Sequence, residues 1–528
     1  MTNLRRSLTI LTLLLSSLTF YANRANGNER VLVVGDSITG HSMNLPYGYA
    51  HEIRNLISEH KAGVEFVPLG GSGQTIFSWR NIVKNSKEQN FRLDIEGIMI
   101  KEEFDKGADV MIVHLGMNDA LQPSIKYNED GLKSWKEEYA KLVADLRDRV
   151  PSVKRIILTP PTLLTESPYT FKNVFMDQLS GLVEEVAKEN DCEFFDLRKE
   201  FTRAFLSARN AEPDFRITLD FVHPNEFGHQ IMAWSFLKAL GNEELETAYL
   251  EKKVAPKLLD HTTPGFAAFV NDVPLSDKNN VSYGENDAVF APVEIKVKAQ
   301  KIDELSVTCD IAKQLKVEKT APDEFTVSFV ANISDLPTKA LLKSNEIERE
   351  VLVNAPYFVT TGVAMDPYRY PNLSDFPKDK TETIIDALAK ECKDPLKESL
   401  KETSSTELAT TSWSAYYPTA DKTGAANPNS LDVASLAPAN AFDAAYAVRY
   451  VFSDDDRDAT LNLNSEGFST TSYLKAYLNG TEVYFDCLSP RSPKWKDNVE
   501  IHLQKGLNVI VVRLDHTHWQ WADSISVE

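Results

Sequence analysis

Ser37, Asp220 and His223 are the residues of this chain whose types and spacing suit nucleophilic catalysis. Ser37 lies in the stretch V-L-V-V-G-D-S-I-T-G-H, Val31 to His41. A serine hydroxyl attacks only when a base takes its proton, and an imidazole that titrates near neutrality is suited to that task. His223 is the candidate base. Asp220 stands three residues before it in D-F-V-H-P, close enough in a turn to place a carboxylate beside the imidazole. There it would hold the tautomer and stabilise the imidazolium, giving the chain order Ser, Asp, His.

The elements around these residues must set that geometry. Val31 to Val34 are four consecutive apolar residues, read as a buried strand. Gly35 then allows a sharp turn, leaving Ser37 at the mouth of the next helix. Open α/β sheets keep their ligand chemistry at such strand ends. This is not a G-x-S-x-G elbow, because Thr39 replaces the second glycine.

From 28 to 245, strands and helices alternate. Strands are expected at Val31–Val34, Val64–Pro68, Asp109–Leu115, Arg155–Thr159 and Glu193–Leu197. The clearest helix is Gly131–Val150, where Leu132, Trp135, Tyr139, Leu142, Val143 and Leu146 recur at helical spacing and read as core. A helix over Phe227–Leu240 is expected to end on Gly241. Such βα units predict a parallel sheet covered on both faces.

Two further glycine-containing stretches follow strands in this segment: Gly70-Gly71-Ser72-Gly73, and Gly116-Met117-Asn118-Asp119. With G-D-S-I-T and D-F-V-H-P they resemble, in order, the four signature blocks of the SGNH, or GDSL-type, hydrolases. One departure is visible, since Pro68 stands where the second block usually carries asparagine. The resemblance implies a flavodoxin-like α/β domain over residues 28–248. It also implies a serine esterase with catalytic Ser37, Asp220 and His223. The oxyanion hole it implies is built from the Ser37 N–H, the Gly70 N–H and the Asn118 side-chain amide. A glycine lets backbone approach closely, and an amide donates without titrating. Asp36 is expected to hold its loop. His114, His229 and His41 are read as structural, with His41 also a candidate for lining the pocket.

At 528 residues the chain is too long for one core. After about Leu250 short alternating runs such as Val293–Val297 and Phe325–Val330 suggest an immunoglobulin-like β-sandwich over 262–354, read as a spacer. Residues 355–528 open on irregular Pro- and Tyr-rich sequence and a charged helical stretch near Thr383–Leu400, then read as strands from about Ala445, with Asn479-Gly480 as a hairpin turn. Their pattern resembles the jelly-roll modules of carbohydrate-active enzymes. Trp413, Trp495, Trp519 and Trp521 there could stack on sugar rings or pack in a core. The fold class expected is thus α/β with two β-rich domains behind it.

Residues 1–26 carry Arg5 and Arg6, then an apolar run to Phe20 and small residues at Ala22 and Ala25. That is the pattern of a signal peptide, so a secreted or periplasmic protein is expected, with no integral membrane segment in the mature chain. The net charge of −20, from 77 acidic and 57 basic residues, disfavours nucleic acid and anionic membranes as partners. None of the four cysteines is spaced as C-x-x-C; Cys392 and Cys487 could pair, or remain free thiols. No ligand spacing for a metal appears, and no cofactor is expected. Export and the C-terminal module point to an acylated carbohydrate as partner, with an O-acetylated polysaccharide as the expected substrate. The alternatives are a lipid or aryl esterase and a non-catalytic glycan-binding protein. A lipid substrate would call for an apolar lid, and Leu163–Phe175 is long enough to cover a site.

Overall fold

The structure is a computed structural model. It describes residues 29–121, 129–260, 262–270, 273–274, 281–284, 288–344, 347–363, 389–390, 393–399, 413–418, 429–431, 443–465, 471–487, 496–516 and 523–528. The expected signal peptide, the pairing of Cys392, and Trp495, Trp519 and Trp521 lie outside the described residues.

Five parallel strands form the sheet of the N-terminal region: β1 (Glu29–Gly35), β2 (Val64–Gly70), β3 (Val110–His114), β4 (Arg155–Thr159) and β5 (Glu193–Phe194). Their order is β2-β1-β3-β4-β5, the flavodoxin-like arrangement. Val31 to Val34 and Val110 to Val113 are buried on both sheet faces, so consecutive residues are apolar rather than alternating. Two helix layers provide that cover. On one side α1 (Ser37–Asn44) packs on α2 (Tyr49–Glu59), which neighbours α9 (Glu226–Leu240), and α9 packs on α8 (Leu197–Ala211). On the other, α3 (Ile76–Asn85) packs against α6 (Glu129–Arg149), and α6 against α7 (Phe171–Glu189). The short helices α4 (Ile100–Asp105) and α5 (Met117–Leu121) lead into and out of β3. The expected stripe on α6 is its buried face, with Trp135, Tyr139, Leu142, Val143 and Leu146 in the core. Gly241 ends α9 in the left-handed conformation, φ 73°.

Because β1 lies between β2 and β3, the chain reverses its winding direction there. The crevice at the C-terminal ends of β1 and β3 is the switch point where such sheets bind ligands. Ser37 follows β1, and Asn118 lies just beyond β3 in α5.

The rest of the chain is β-rich. A strand at Gly265–Val270 and the long strand Val289–Gln300 pair with each other, and the latter pairs with Glu324–Asn332. A three-stranded sheet of Ser306–Thr308, Thr338–Ser344 and Ile347–Val353 accompanies them. Further on, sheets of seven and four strands share a second core. Asn479 and Gly480 have φ of 50° and 86°, as a hairpin turn with two left-handed residues requires. One short strand crosses the expected division at 354: Val273–Pro274 pairs with Ser414–Tyr416 in the seven-stranded sheet. A continuous apolar core joins Val293 and Val327 to Trp413 and Tyr446. Trp413 is only 2% exposed within it, so this tryptophan packs rather than offering its face to a sugar. Among the described residues no helix is long and apolar enough to cross a membrane.

Candidate active site

The turn after β1 is built for close approach. Asp36 caps α1, its carboxylate accepting the Ile38 N–H at 3.0 Å, and Ser37 is the first residue of the helix. A Cβ on Gly35 would lie 2.0 Å from the Thr39 hydroxyl oxygen. At Gly70, the last residue of β2, a Cβ would lie 2.5 Å from the Gly40 nitrogen and 2.6 Å from the Asp36 carbonyl oxygen. Both glycines therefore let α1 start directly against the strand ends. Trp79 fastens the turn from the other side, its indole N–H donating to the Gly35 carbonyl at 2.8 Å.

The Asp-His segment is a tight turn closed at its base. Leu219 N–H donates to the His223 carbonyl at 2.8 Å, Asn225 N–H to the Ile217 carbonyl at 2.9 Å, and Thr218 bridges to Pro224. Phe221 sits in the turn with φ 68°. Asp220 stabilises the turn as well, its Oδ1 accepting the N–H groups of Val222 and His223 at 3.1 and 2.8 Å.

Across 186 positions of sequence, Ser37 Oγ lies 2.9 Å from His223 Nε2. His223 Nδ1 lies 2.8 Å from Asp220 Oδ2. All three residues expected to act together are thus in hydrogen-bonding sequence. Asn118, 4% exposed, uses one amide N–H on the Gln74 carbonyl at 3.0 Å, and its side-chain nitrogen carries a second hydrogen. That contact sets Asn118 beside the loop Gly71–Thr75, in which Gly73 turns with φ 72°.

Burial works against the charge on His223, but the hydrogen bond and negative charge of Asp220, with Asp36 adding, outweigh it and raise the imidazole above 6.5. Burial likewise opposes the charge on Asp220, and its hydrogen bonds from the His223 side chain and backbone hold the carboxyl below its usual value of 3.8. Asp36 behaves differently. Burial pushes it up to about 7, although Ile38 and His223 favour its charged form. Asp119 is likewise raised by burial to about 7, with Asp36 adding to the shift and the Ile76 N–H opposing it.

The other imidazoles divide. His114 is buried, lowered to about 4, and pairs with the Thr159 hydroxyl at 3.1 Å. Burial lowers His229 to about 3, and its Nδ1 accepts the Tyr49 N–H at 3.4 Å. Both imidazoles are buried, each 1% exposed. The His41 ring lies 5.3 Å from that of His223 and flanks the base. Among the described residues no group of three or more His, Cys, Asp or Glu side chains is arranged to hold a metal ion.

Two residues that sequence reasoning leaves aside touch this site. Thr165 N–H donates to the Phe221 carbonyl at 2.7 Å. The Glu166 carboxylate accepts the N–H groups of Ile217 and Thr218, each at 3.0 Å.

Residues 33–231 match the model of the GDSL-like lipase/acylhydrolase family. An acetylxylan esterase of Geobacillus stearothermophilus is 24% identical in an alignment of 236 positions that covers 42% of this chain and 97% of that protein. Among solved structures, an α/β hydrolase from the metagenome of Lake Arreo, Spain, is 22% identical, covering 41% of this chain and 96% of that one with a TM-score of 0.32. An acetyl xylan esterase, AlAXEase, is 20% identical over 40% of this chain and 99% of that one, with a TM-score of 0.33. The family match runs from within β1 into the first turns of α9, the segment that carries the flavodoxin-like sheet and the Ser37, Asn118 and His223 positions. This segment is a GDSL-like lipase/acylhydrolase domain, and the β-rich remainder of the chain lies outside the match.

Proposed function

We propose that this protein is a secreted or periplasmic serine esterase that removes O-acyl groups, foremost O-acetyl, from a polysaccharide or oligosaccharide. The observation that carries the reading is the line from Ser37 Oγ to His223 Nε2 to Asp220, at 2.9 and 2.8 Å. His223 takes the hydroxyl proton as Ser37 attacks the ester carbonyl, and Asp220 stabilises the imidazolium that forms. His223 then returns the proton to the leaving sugar hydroxyl, leaving an acyl-serine. Water, activated by the same imidazole, releases the acid and regenerates the serine.

The oxyanion is held in this reading by the Ser37 N–H, the Asn118 amide and a glycine N–H of the Gly70–Gly73 loop. Gly70 is the donor expected from the family pattern. The contact of Asn118 with Gln74 favours Gly73 as the second candidate, since it places that end of the loop beside the amide. Losing one such donor typically costs about 2.7–4 kcal/mol of transition-state stabilisation.

The acetylxylan esterase relative supports a carbohydrate ester, and acetylated xylan is the first substrate to offer. The β-rich C-terminal region fits an appended jelly-roll module that keeps the enzyme near its glycan. Rates on p-nitrophenyl esters of rising chain length, with Ser37→Ala alongside, test the class. Fast, Ser37-dependent turnover of the acetate with decline on longer chains is expected. A preference for long chains would make it a lipid esterase. No Ser37-dependent turnover of any ester would leave a glycan-binding protein.

A further inference from the structure

The Asp220–His223 turn carries two side chains of the proposed relay on a short excursion with little regular structure, and its tip is strained. Phe221 has φ 68°, a conformation that bulky residues seldom adopt. It is met by a second residue of the same kind. Thr165, β-branched, has φ 63°, and its N–H donates to the Phe221 carbonyl at 2.7 Å. Such conformations persist where the surroundings over-determine them, and they gather at functional sites.

The next residue holds the other end of the turn. Glu166, whose side chain is 11% exposed, accepts the Ile217 N–H on Oε2 and the Thr218 N–H on Oε1, each at 3.0 Å. The Thr218 hydroxyl donates to the same carboxylate, and Arg216 stands 3.8 Å away. Consecutive residues therefore grip tip and base. Both oxygens of Glu166 serve as acceptors, which an amide cannot reproduce.

The segment that presents Thr165 and Glu166 is itself fixed. Asn173, fully buried, accepts the Leu164 N–H at 3.0 Å and donates to the Ser167 carbonyl at 2.7 Å. Arg198 donates to the Thr162 carbonyl at 2.8 Å and to the Asn173 carbonyl at 2.9 Å. At its far end Tyr169 leaves the hydrolase domain. Its hydroxyl donates to Glu324 Oε2 at 3.0 Å, and its ring meets Phe269 edge-on at 5.7 Å. Lys298 pairs with the same Glu324 oxygen at 2.9 Å, and the Thr320 hydroxyl donates to the other at 3.1 Å. Phe269, 4% exposed, belongs to the hydrolase core although its strand belongs to the β-region.

We propose that Thr165 and Glu166 are positioning residues for the Asp220–His223 turn, and that the β-region behind the hydrolase domain holds this clamp in register through Glu324 and Tyr169. The segment expected as a candidate lid is on this account a brace, and residues 262–354 are more than a spacer. The proposal rests on Ser37, His223 and Asp220 acting as the relay.

The test uses the full chain with Glu166→Gln, Tyr169→Phe and the double variant. Three readouts are taken: kcat and KM on p-nitrophenyl acetate, thermal unfolding, and the downfield proton NMR signal of the His223 Nδ1–H shared with Asp220. A misplaced reacting group slows chemistry steeply, so Glu166→Gln is expected to lower kcat about 10- to 100-fold with little change in KM. The His223 signal should broaden or vanish. Tyr169→Phe is expected to lower kcat about three- to tenfold, and the double variant to fall short of the product of the single effects. A folded Glu166→Gln protein with unchanged kcat and an intact signal would overturn the clamp. Should that variant fail to fold, Tyr169→Phe decides: a wild-type rate with an intact signal overturns the link to the β-region and the clamp it supports. Ser37→Ala separates the two readings. Full activity in Ser37→Ala sinks the relay itself, whereas a dead Ser37→Ala beside a wild-type Glu166→Gln sinks the clamp alone.

Discussion

Asp36 turns one carboxylate oxygen into the interior, where it has no hydrogen-bond partner among the described residues. Burial raises this group to about 7, above the ordinary carboxyl value of 3.8. Between those values the unfolded chain ionises Asp36 while the folded protein keeps its proton, so stability falls as pH rises and levels off above about 7. Asn keeps the helix cap and removes the charge. Asp36→Asn should therefore gain on the wild type by the order of 4 kcal/mol at pH 8 and by little at pH 4. Urea unfolding at the two pH values checks this, and equal gains at both would contradict it. His223 has the opposite consequence for rate. Its raised pKa means that the neutral base accumulates only as pH rises through a value above 6.5. kcat/KM on p-nitrophenyl acetate should climb through that ionisation. Asp220→Asn should shift it downward and reduce kcat by about 10^4. The stabilisation from the His223 pairing moves against the rate and in the same direction as the Asp36 effect, complete below 6.5 and lost as pH rises through the folded value.

At the scale of elements, the start of α1 is pressed against the ends of two strands. Gly70→Ala would set a methyl group 2.5 Å from the Gly40 nitrogen and 2.6 Å from the Asp36 carbonyl, both backbone atoms that cannot step aside. The expected cost is about 1–3 kcal/mol in urea unfolding, with kcat reduced because Ser37 moves with the turn. An unchanged midpoint would mean that α1 is free to shift. Much at this scale is legible in the sequence. Val31 to Val34 and Ile156 to Thr159 are apolar or β-branched runs that suit buried strands, and D-F-V-H places base and orienter on one turn. The clamp is not legible. Glu166 looks like an ordinary loop residue, and its partners stand 51 and 52 positions away. Nothing local marks Thr165 or Phe221 for a left-handed backbone, since neither is Gly, Asn or Asp.

At the scale of the molecule, the β-rich remainder is tied into the hydrolase domain and into itself. Phe269 completes the hydrolase core, and Val273–Pro274 crosses to the seven-stranded sheet. A two-residue strand has no hydrophobic period of its own, so no pattern in the sequence could reveal that crossing. Trp413 lies in the apolar core common to both β-rich stretches. Trp413→Ala should cost about 3–5 kcal/mol of stability while leaving retention on an immobilised xylan unchanged. Loss of retention in a stable variant would return this residue to a role in sugar binding.

The most direct measurement is acetate release from acetylated xylan by the full chain and by Ser37→Ala, with acetylated pectin and algal polysaccharides in parallel. Release by the wild type, reduced by about 10^6 in Ser37→Ala, is the expected result. Equal release by both proteins, or none from any acetylated glycan by a wild type that turns over long-chain esters, would contradict the account.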